Sequence, residues 1–151
     1  MGNRLKYSKV DPKAIGGLQE MEKYIAQSNL DYSLVHLIKI RASQINVCAY
    51  CIDMHTKESR HGGETEERIN GLLGWRETPF YTKRERSALA WTEALTLISE
   101  NRISDDLYRE LLDEFGEKDL LSLTMLILAI NSWNRLAIAF KVEPGSYKIT
   151  N

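Results

Sequence analysis

The spacing of the apolar residues constrains the fold of this chain more than any other feature. Apolar side chains recur at intervals of three and four residues, as they do along one face of an α-helix. No stretch alternates apolar and polar residues for long enough to indicate a β-strand. Apolar residues fill 15 of the 21 positions from Leu120 to Phe140, which is typical of a helix enclosed by other helices or by a second subunit. We therefore predict an all-α fold, a helical bundle.

Capping residues and glycines mark where the individual helices begin and end. The predicted helices cover residues 12–27, 31–44, 47–60, 66–74, 83–99, 105–116 and 118–140. Asn46 is the predicted N-cap of the third helix, and Thr82 with Glu85 forms a capping box at the start of the fifth. Gly62 ends the third helix and Gly116 the sixth. No repeat, linker or low-complexity stretch separates these helices, so we predict one domain over residues 1–151.

Charge and composition exclude several classes of function. The chain carries 20 Lys+Arg and 21 Asp+Glu, a net charge of −1, so no general electrostatic attraction to nucleic acid or to an anionic membrane is expected. The longest uninterrupted apolar run, 125–130, is too short to cross a bilayer. The first ten residues contain no apolar segment typical of a secretory signal. We therefore expect a cytoplasmic protein that binds neither nucleic acid nor membranes.

Cys48 and Cys51 are the two cysteines of the chain, and they form a C-x-x-C motif. A bond between them would close almost no loop in the unfolded chain, so it cannot stabilise the fold appreciably. In a cytoplasmic protein this spacing indicates redox chemistry or half of a metal site.

His55 extends the motif to C-x-x-C-x-x-x-H. On a helix, Cys51 and His55 lie about 300° and 340° around the axis from Cys48, so the three side chains share one face. A helix N-terminus and a neighbouring imidazolium both favour the thiolate over the thiol. The pattern predicts that one thiolate attacks a peroxide or a disulfide, that the other cysteine closes an intramolecular disulfide, and that His55 transfers the proton.

Two alternatives remain open from these residues. Zinc could be held by the set Cys48, Cys51, His55 and His61, although structural zinc sites usually join two separated pairs of ligands. Alternatively, the cysteines are small buried apolar residues beside a core histidine.

Four stretches of the chain together match a known family pattern. They are LIKIRASQIN at 37–46, CAYCIDMH at 48–55, ERSALAWTEA at 85–94 and NSWNRL at 131–136. These stretches resemble the alkylhydroperoxidase D-like proteins of the carboxymuconolactone decarboxylase family, over most of residues 30–140. The resemblance implies an all-helical protein that assembles into trimers or hexamers, with the C-x-x-C at the start of a helix.

The resemblance also implies a role for each residue of the motif. Cys51 would be the peroxidatic cysteine, which passes through a sulfenic acid, and His55 would be the relay histidine. Cys48 would be the more exposed cysteine, which forms the disulfide and meets the electron donor. The relatives take electrons from a lipoyl-bearing protein and pass them to a peroxiredoxin, or reduce hydroperoxides themselves. No cofactor and no metal ion is implied.

Two positions depart from the family pattern. His36 stands twelve residues before Cys48, where the peroxidase relatives carry a glutamate, and Tyr50 stands where they carry a histidine. His36 can replace the glutamate as a proton carrier because histidine titrates near neutral pH; otherwise it is a partly buried helix residue. The expected function is a thiol-dependent peroxidase or disulfide reductase in antioxidant defence. The alternatives are a carboxymuconolactone decarboxylase-like enzyme and a zinc-holding or structural oligomer.

Overall fold

The computed structural model describes residue 2 and residues 4–149, and all regular secondary structure in this part of the chain is helical. The α-helices are α1 (Tyr7–Val10), α2 (Gly16–Ala26), α3 (Tyr32–Ile45), α4 (Ala49–His61), α5 (Glu66–Gly71), α6 (Lys83–Thr96) and α7 (Asp105–Ala139). Short 3-10 helices cover Pro12–Ile15 and Leu72–Glu77. The predicted all-α fold is confirmed.

Helices α3 and α7 form the centre of the bundle. Helix α3 packs against α4, α6 and α7, and α7 packs in addition against α2 and α6. The main core contains fully buried side chains from three helices, among them Leu37, Ile38, Leu89, Leu123 and Ile127. Burial of each such side chain contributes about 1.5–3 kcal/mol to the hydrophobic stabilisation of the fold.

A second, smaller core lies where α3 ends, α4 begins and the C-terminal half of α7 passes. It consists of Ala42, Cys48, Cys51, Ile130 and Ala137. The two cysteines are therefore part of a packed apolar layer. By length and composition alone α7 could span a membrane, and 44% of its most apolar window is buried inside the protein.

The prediction that Asn46 caps α4 is wrong. Asn46 is instead the C-cap of α3, and α4 begins at Ala49 with Cys48 as its N-cap residue. The Asn46 amide donates hydrogen bonds to Asn131 Oδ1 (3.0 Å) and Asn134 Oδ1 (2.9 Å), both on α7. These long-range bonds satisfy the side chain that sequence spacing assigned to a local cap. The predicted capping box of Thr82 and Glu85 at the start of α6 is confirmed.

Gly116 interrupts α7 at the boundary that the sequence predicts. Its backbone lies at φ 68° and ψ 170°, a region that residues with a Cβ rarely adopt. We expect Gly116→Ala to lower the free energy of unfolding by about 1–3 kcal/mol, measured by urea denaturation. The matched control is Gly17→Ala in α2, where a Cβ meets open space and alanine should stabilise by about 0.5–1 kcal/mol. Changes of the same sign in both variants would contradict this account.

Candidate active site

A cavity of about 360 Å³ lies where α1, α2, α3, α4 and α7 meet. Helix α4 contributes Cys51, His55 and Glu58 to its wall, and α3 contributes His36 and Lys39. The helical geometry accounts for the first group, because residues 51, 55 and 58 are four and three positions apart and share one face. Three of the predicted site residues, Cys51, His55 and His36, therefore border the same space.

Cys48 and Cys51 are joined by a disulfide, with their Cα atoms 5.4 Å apart. Both sulfurs lie in the first turn of α4, where backbone N–H groups without helical partners favour a negative charge. The Cys48 backbone is held on both sides: its N–H donates to Ser43 O (2.9 Å) and its carbonyl accepts from Ile52 N (3.0 Å).

The family resemblance implied that Cys48 is the more exposed cysteine, and the structure corrects this expectation. Cys48 is 1% exposed and Cys51 is 3% exposed, and Cys51 is the one that borders the cavity. Val47 takes the outward position in the left-handed conformation (φ 55°) and is 79% exposed. The chain turns inward directly after it, which buries Cys48 in the small core.

Glu58 connects the two histidines, and sequence reasoning missed it. One carboxylate oxygen, Oε2, lies 2.8 Å from His55 Nδ1 and 3.4 Å from His36 Nδ1. The other oxygen, Oε1, accepts a hydrogen bond from Tyr147 Oη at 2.7 Å. Glu58 lies three residues after His55, a spacing that would have placed it on the motif face. Nothing in the local sequence points to Tyr147, which reaches the site from the C-terminal segment.

Burial and mutual contact determine the charges in this cluster. Burial alone would raise the pKa of Glu58, but the hydrogen bonds from His55 and Tyr147 outweigh it and hold that pKa at about 2. Burial, together with the nearby His55, lowers the pKa of His36 to about 4. Burial also lowers the pKa of His55. At neutral pH the cluster therefore contains one carboxylate and two neutral imidazoles, so the imidazolium that the sequence argument placed beside Cys51 is absent.

Lys39 is the cationic group in the cavity wall. It is 7% exposed, and its ammonium group forms an ion pair with Glu22 Oε2 at 2.7 Å. Tyr50 also borders the cavity, and burial raises the pKa of its hydroxyl, so Tyr50 is a hydrogen-bond donor and not a base. The N-terminus of α4 is thus the feature at Cys51 that favours its thiolate, and burial of the sulfur in the small apolar core opposes it.

The four-ligand zinc set considered from the sequence is not assembled in the structure. Cys48 and Cys51 are bonded to each other. His61 is exposed at the C-terminal end of α4 and is not among the described residues that line the cavity. That zinc interpretation is not supported by the geometry.

The low pKa of His36 predicts how stability depends on pH. Below about pH 6.5 the unfolded chain takes up a proton at His36 that the folded protein binds only near pH 4, so acidification favours unfolding. We expect His36 to account for a loss of about 2–3 kcal/mol in the free energy of unfolding between pH 7 and about pH 4.5. In urea titrations, the free energy of unfolding of His36→Gln should fall less over this pH range. The control variant His61→Ala, changed at an exposed histidine, should show the same pH dependence of stability as the parent protein. An equal loss in His36→Gln would contradict the burial of a neutral imidazole.

Comparison with known proteins identifies the family. Residues 12–94 match the model of the carboxymuconolactone decarboxylase family. The uncharacterized protein YdfG of Bacillus subtilis is 43% identical over 139 residues, which cover 92% of this chain and 95% of YdfG. The chain belongs to the carboxymuconolactone decarboxylase family.

Solved structures with the same fold support the resemblance of this chain to alkylhydroperoxidase D-like proteins. One is a protein of unknown function from Agrobacterium tumefaciens, which has been ascribed to antioxidant defence as an AhpD protein. It is 42% identical to this chain and superposes with a TM-score of 0.91, covering 96% of this chain and 99% of that one. The AhpD core of a peroxidase-related protein from Ralstonia eutropha JMP134 matches with a TM-score of 0.80 at 15% identity, covering 92% of this chain and 74% of that one. At that identity the likeness shows the fold alone. Within the carboxymuconolactone decarboxylase family, the chain is thus alkylhydroperoxidase D-like.

Proposed function

We propose that this chain is an oxidoreductase of antioxidant defence, which reduces hydroperoxides, or disulfides, through a dithiol–disulfide cycle of Cys48 and Cys51. One observation carries the proposal: Cys51 borders the cavity together with two neutral imidazoles that both face the ionised carboxylate of Glu58. A thiol next to a base that is itself oriented by a third group is the arrangement used to activate a nucleophile.

The first step forms the thiolate. Because ionised Glu58 accepts from His55 Nδ1, that nitrogen carries the hydrogen and Nε2 is the ring atom that can accept a proton. His55 takes the proton of the Cys51 thiol. The resulting imidazolium is stabilised by Glu58, and the thiolate is stabilised by the N-terminus of α4.

The second step reduces the peroxide. The Cys51 thiolate attacks the terminal oxygen of a hydroperoxide, an S–O bond forms and the O–O bond breaks. Cys51 becomes a sulfenic acid, and the departing alkoxide takes the proton from His55 and leaves as an alcohol. The Cys48 thiol then attacks the Cys51 sulfur, an S–S bond forms and the hydroxyl group leaves as water with the thiol proton.

An external dithiol completes the cycle. Its thiolate attacks the Cys48–Cys51 disulfide, and the donor leaves as a disulfide after transferring two electrons. Since Cys51 borders the cavity and Cys48 is packed in the small core, we place this attack at Cys51, from the cavity side. The same proposal includes a lipoyl-bearing protein as the electron donor and a peroxiredoxin as a further electron acceptor. It also includes assembly of the chain into trimers or hexamers and a location in the cytoplasm.

A thiol titration tests this function. Fully reduced protein is exposed to graded amounts of an organic hydroperoxide, and free thiols and intact mass are measured at each step. We expect one equivalent of peroxide to remove both thiols and two hydrogen atoms per chain. Cys48→Ser should instead gain one oxygen atom at Cys51. Unchanged thiols at stoichiometric peroxide would reject hydroperoxide reduction. Unchanged thiols with a small-molecule disulfide as well would reject the whole proposal and leave the decarboxylase alternative, in which the dithiol has no role.

A further inference from the structure

The cluster of His36, His55 and Glu58 has the composition of a metal site as well as that of a proton relay. The side chains offer two imidazole nitrogens and a carboxylate oxygen, all within 4.8 Å of one another. Two histidines and one carboxylate, with a fourth position left to water, form a recurrent ligand set for Zn²⁺. We propose that these three residues bind Zn²⁺ or a similar divalent transition metal at the wall of the cavity.

A tetrahedral ion could be reached from these positions by small shifts of the side chains. With metal–ligand bonds of about 2.0–2.1 Å, neighbouring ligand atoms in a tetrahedron lie about 3.3–3.4 Å apart. His36 Nδ1 and Glu58 Oε2 are already 3.4 Å apart. His55 Nδ1 and the same oxygen are 2.8 Å apart, so this contact must lengthen by about half an ångström when a metal ion replaces the proton between them.

The buried ring nitrogen of His36 supplies a second observation in favour of a ligand at this place. His36 is 6% exposed, and its buried Nδ1 has no hydrogen-bond partner among the described residues, although it faces Glu58. A buried polar atom left without a partner costs free energy, and a metal ion bound to its lone pair would remove that cost.

The surroundings are suited to hold such an ion. Tyr147 donates to the Glu58 oxygen that does not face the histidines, which orients the carboxylate as the outer hydrogen bonds of metal sites do. The nearby cation Lys39 is neutralised by its ion pair with Glu22. The carboxylate of Glu58 therefore gives the three-ligand set a net charge of −1 to meet the metal ion.

The site would also control the proposed reaction, and this consequence rests on the proposed function. A metal ion bound at His55 Nδ1 displaces the hydrogen of that nitrogen, and the neutral ring then carries its hydrogen on Nε2. Nε2 can no longer accept the proton of Cys51. Bound Zn²⁺ is therefore expected to slow peroxide reduction reversibly, with full recovery after chelation.

Isothermal titration of the oxidised protein with Zn²⁺ tests the site without any free thiol. We expect one equivalent per chain with a dissociation constant of micromolar or tighter, and visible absorption typical of tetrahedral coordination when Co²⁺ is used instead. His36→Gln and Glu58→Gln should each weaken binding about 100-fold or more, and Tyr147→Phe by about 10-fold. The matched control His61→Ala, at an exposed histidine outside the cluster, should bind as the parent does.

Two results would overturn the site. One is the lack of binding by the oxidised parent protein up to about 100 µM Zn²⁺, and the other is binding that His61→Ala removes while His36→Gln leaves it unchanged. Circular dichroism verifies folding, and if a ligand variant does not fold, Tyr147→Phe decides, because unchanged affinity there contradicts the geometry. Binding without inhibition of peroxide reduction would support the site and count against the proton route through His55.

Discussion

Cys51→Ser is expected to lower the rate of hydroperoxide reduction by about 10³-fold or more, because a serine hydroxyl in the same place does not form the anion that attacks oxygen. Cys51 is the cysteine that borders the cavity, and it lies at the N-terminus of α4, four residues before His55. The rate is measured by stopped-flow consumption of an organic hydroperoxide with a small dithiol as the electron donor.

Cys48→Ser is the matched control for this experiment. The two cysteines lie in the same helical turn and the same small core, so serine perturbs packing similarly at both positions. We expect Cys48→Ser to keep a rapid first oxidation and to stop at the sulfenic acid, because the resolving thiol is missing. Equal loss of the first oxidation in both variants would contradict the assignment of Cys51 as the attacking residue.

Glu58→Gln is expected to lower the rate of Cys51 oxidation by about 10²-fold, within the range attributed to a general base and the group that orients it. The amide lacks the negative charge that stabilises protonated His55, and it can present its N–H₂ group to Nδ1 and so reverse the tautomer. The rate is followed by single-turnover oxidation of the reduced variant as a function of pH.

Two comparisons separate this effect from a general loss of structure. Glu117→Gln, at an exposed position, removes the same charge away from the cavity and should leave the rate unchanged. Tyr147→Phe keeps the carboxylate but removes its hydrogen-bond donor, so a smaller reduction is expected. An unchanged rate and pH profile in Glu58→Gln would show that the carboxylate does not act on the thiol.

The fold could be predicted largely from local sequence, because helix boundaries depend on residues close together in the chain. The capping box of Thr82 and Glu85 and the break at Gly116 each involve at most four residues. The error at Asn46 has the opposite origin. Its amide is held by two asparagines of α7 more than 80 residues away, and no local spacing contains that information.

The part of the candidate site that lies on one helix could be predicted from the sequence, and the part that depends on long-range contacts could not. The shared helical face of Cys51 and His55 follows from helix geometry, and Glu58 would have followed from the same periodicity. Tyr147 could not be predicted, since its contact with Glu58 spans 89 residues. The burial of Cys48 and the lowered pKa of both histidines depend on packing around α4, which a motif does not specify.

The central claim is that Cys51 ionises readily in the cavity, and the pH dependence of its alkylation tests this most directly. In Cys48→Ser the only remaining thiol is Cys51, and its rate of reaction with iodoacetamide is measured from acidic to alkaline pH. We predict a midpoint about one unit or more below the ordinary cysteine value of about 8.5. A midpoint at or above about 8.5 would contradict the account, because the sulfur would then be an ordinary buried thiol.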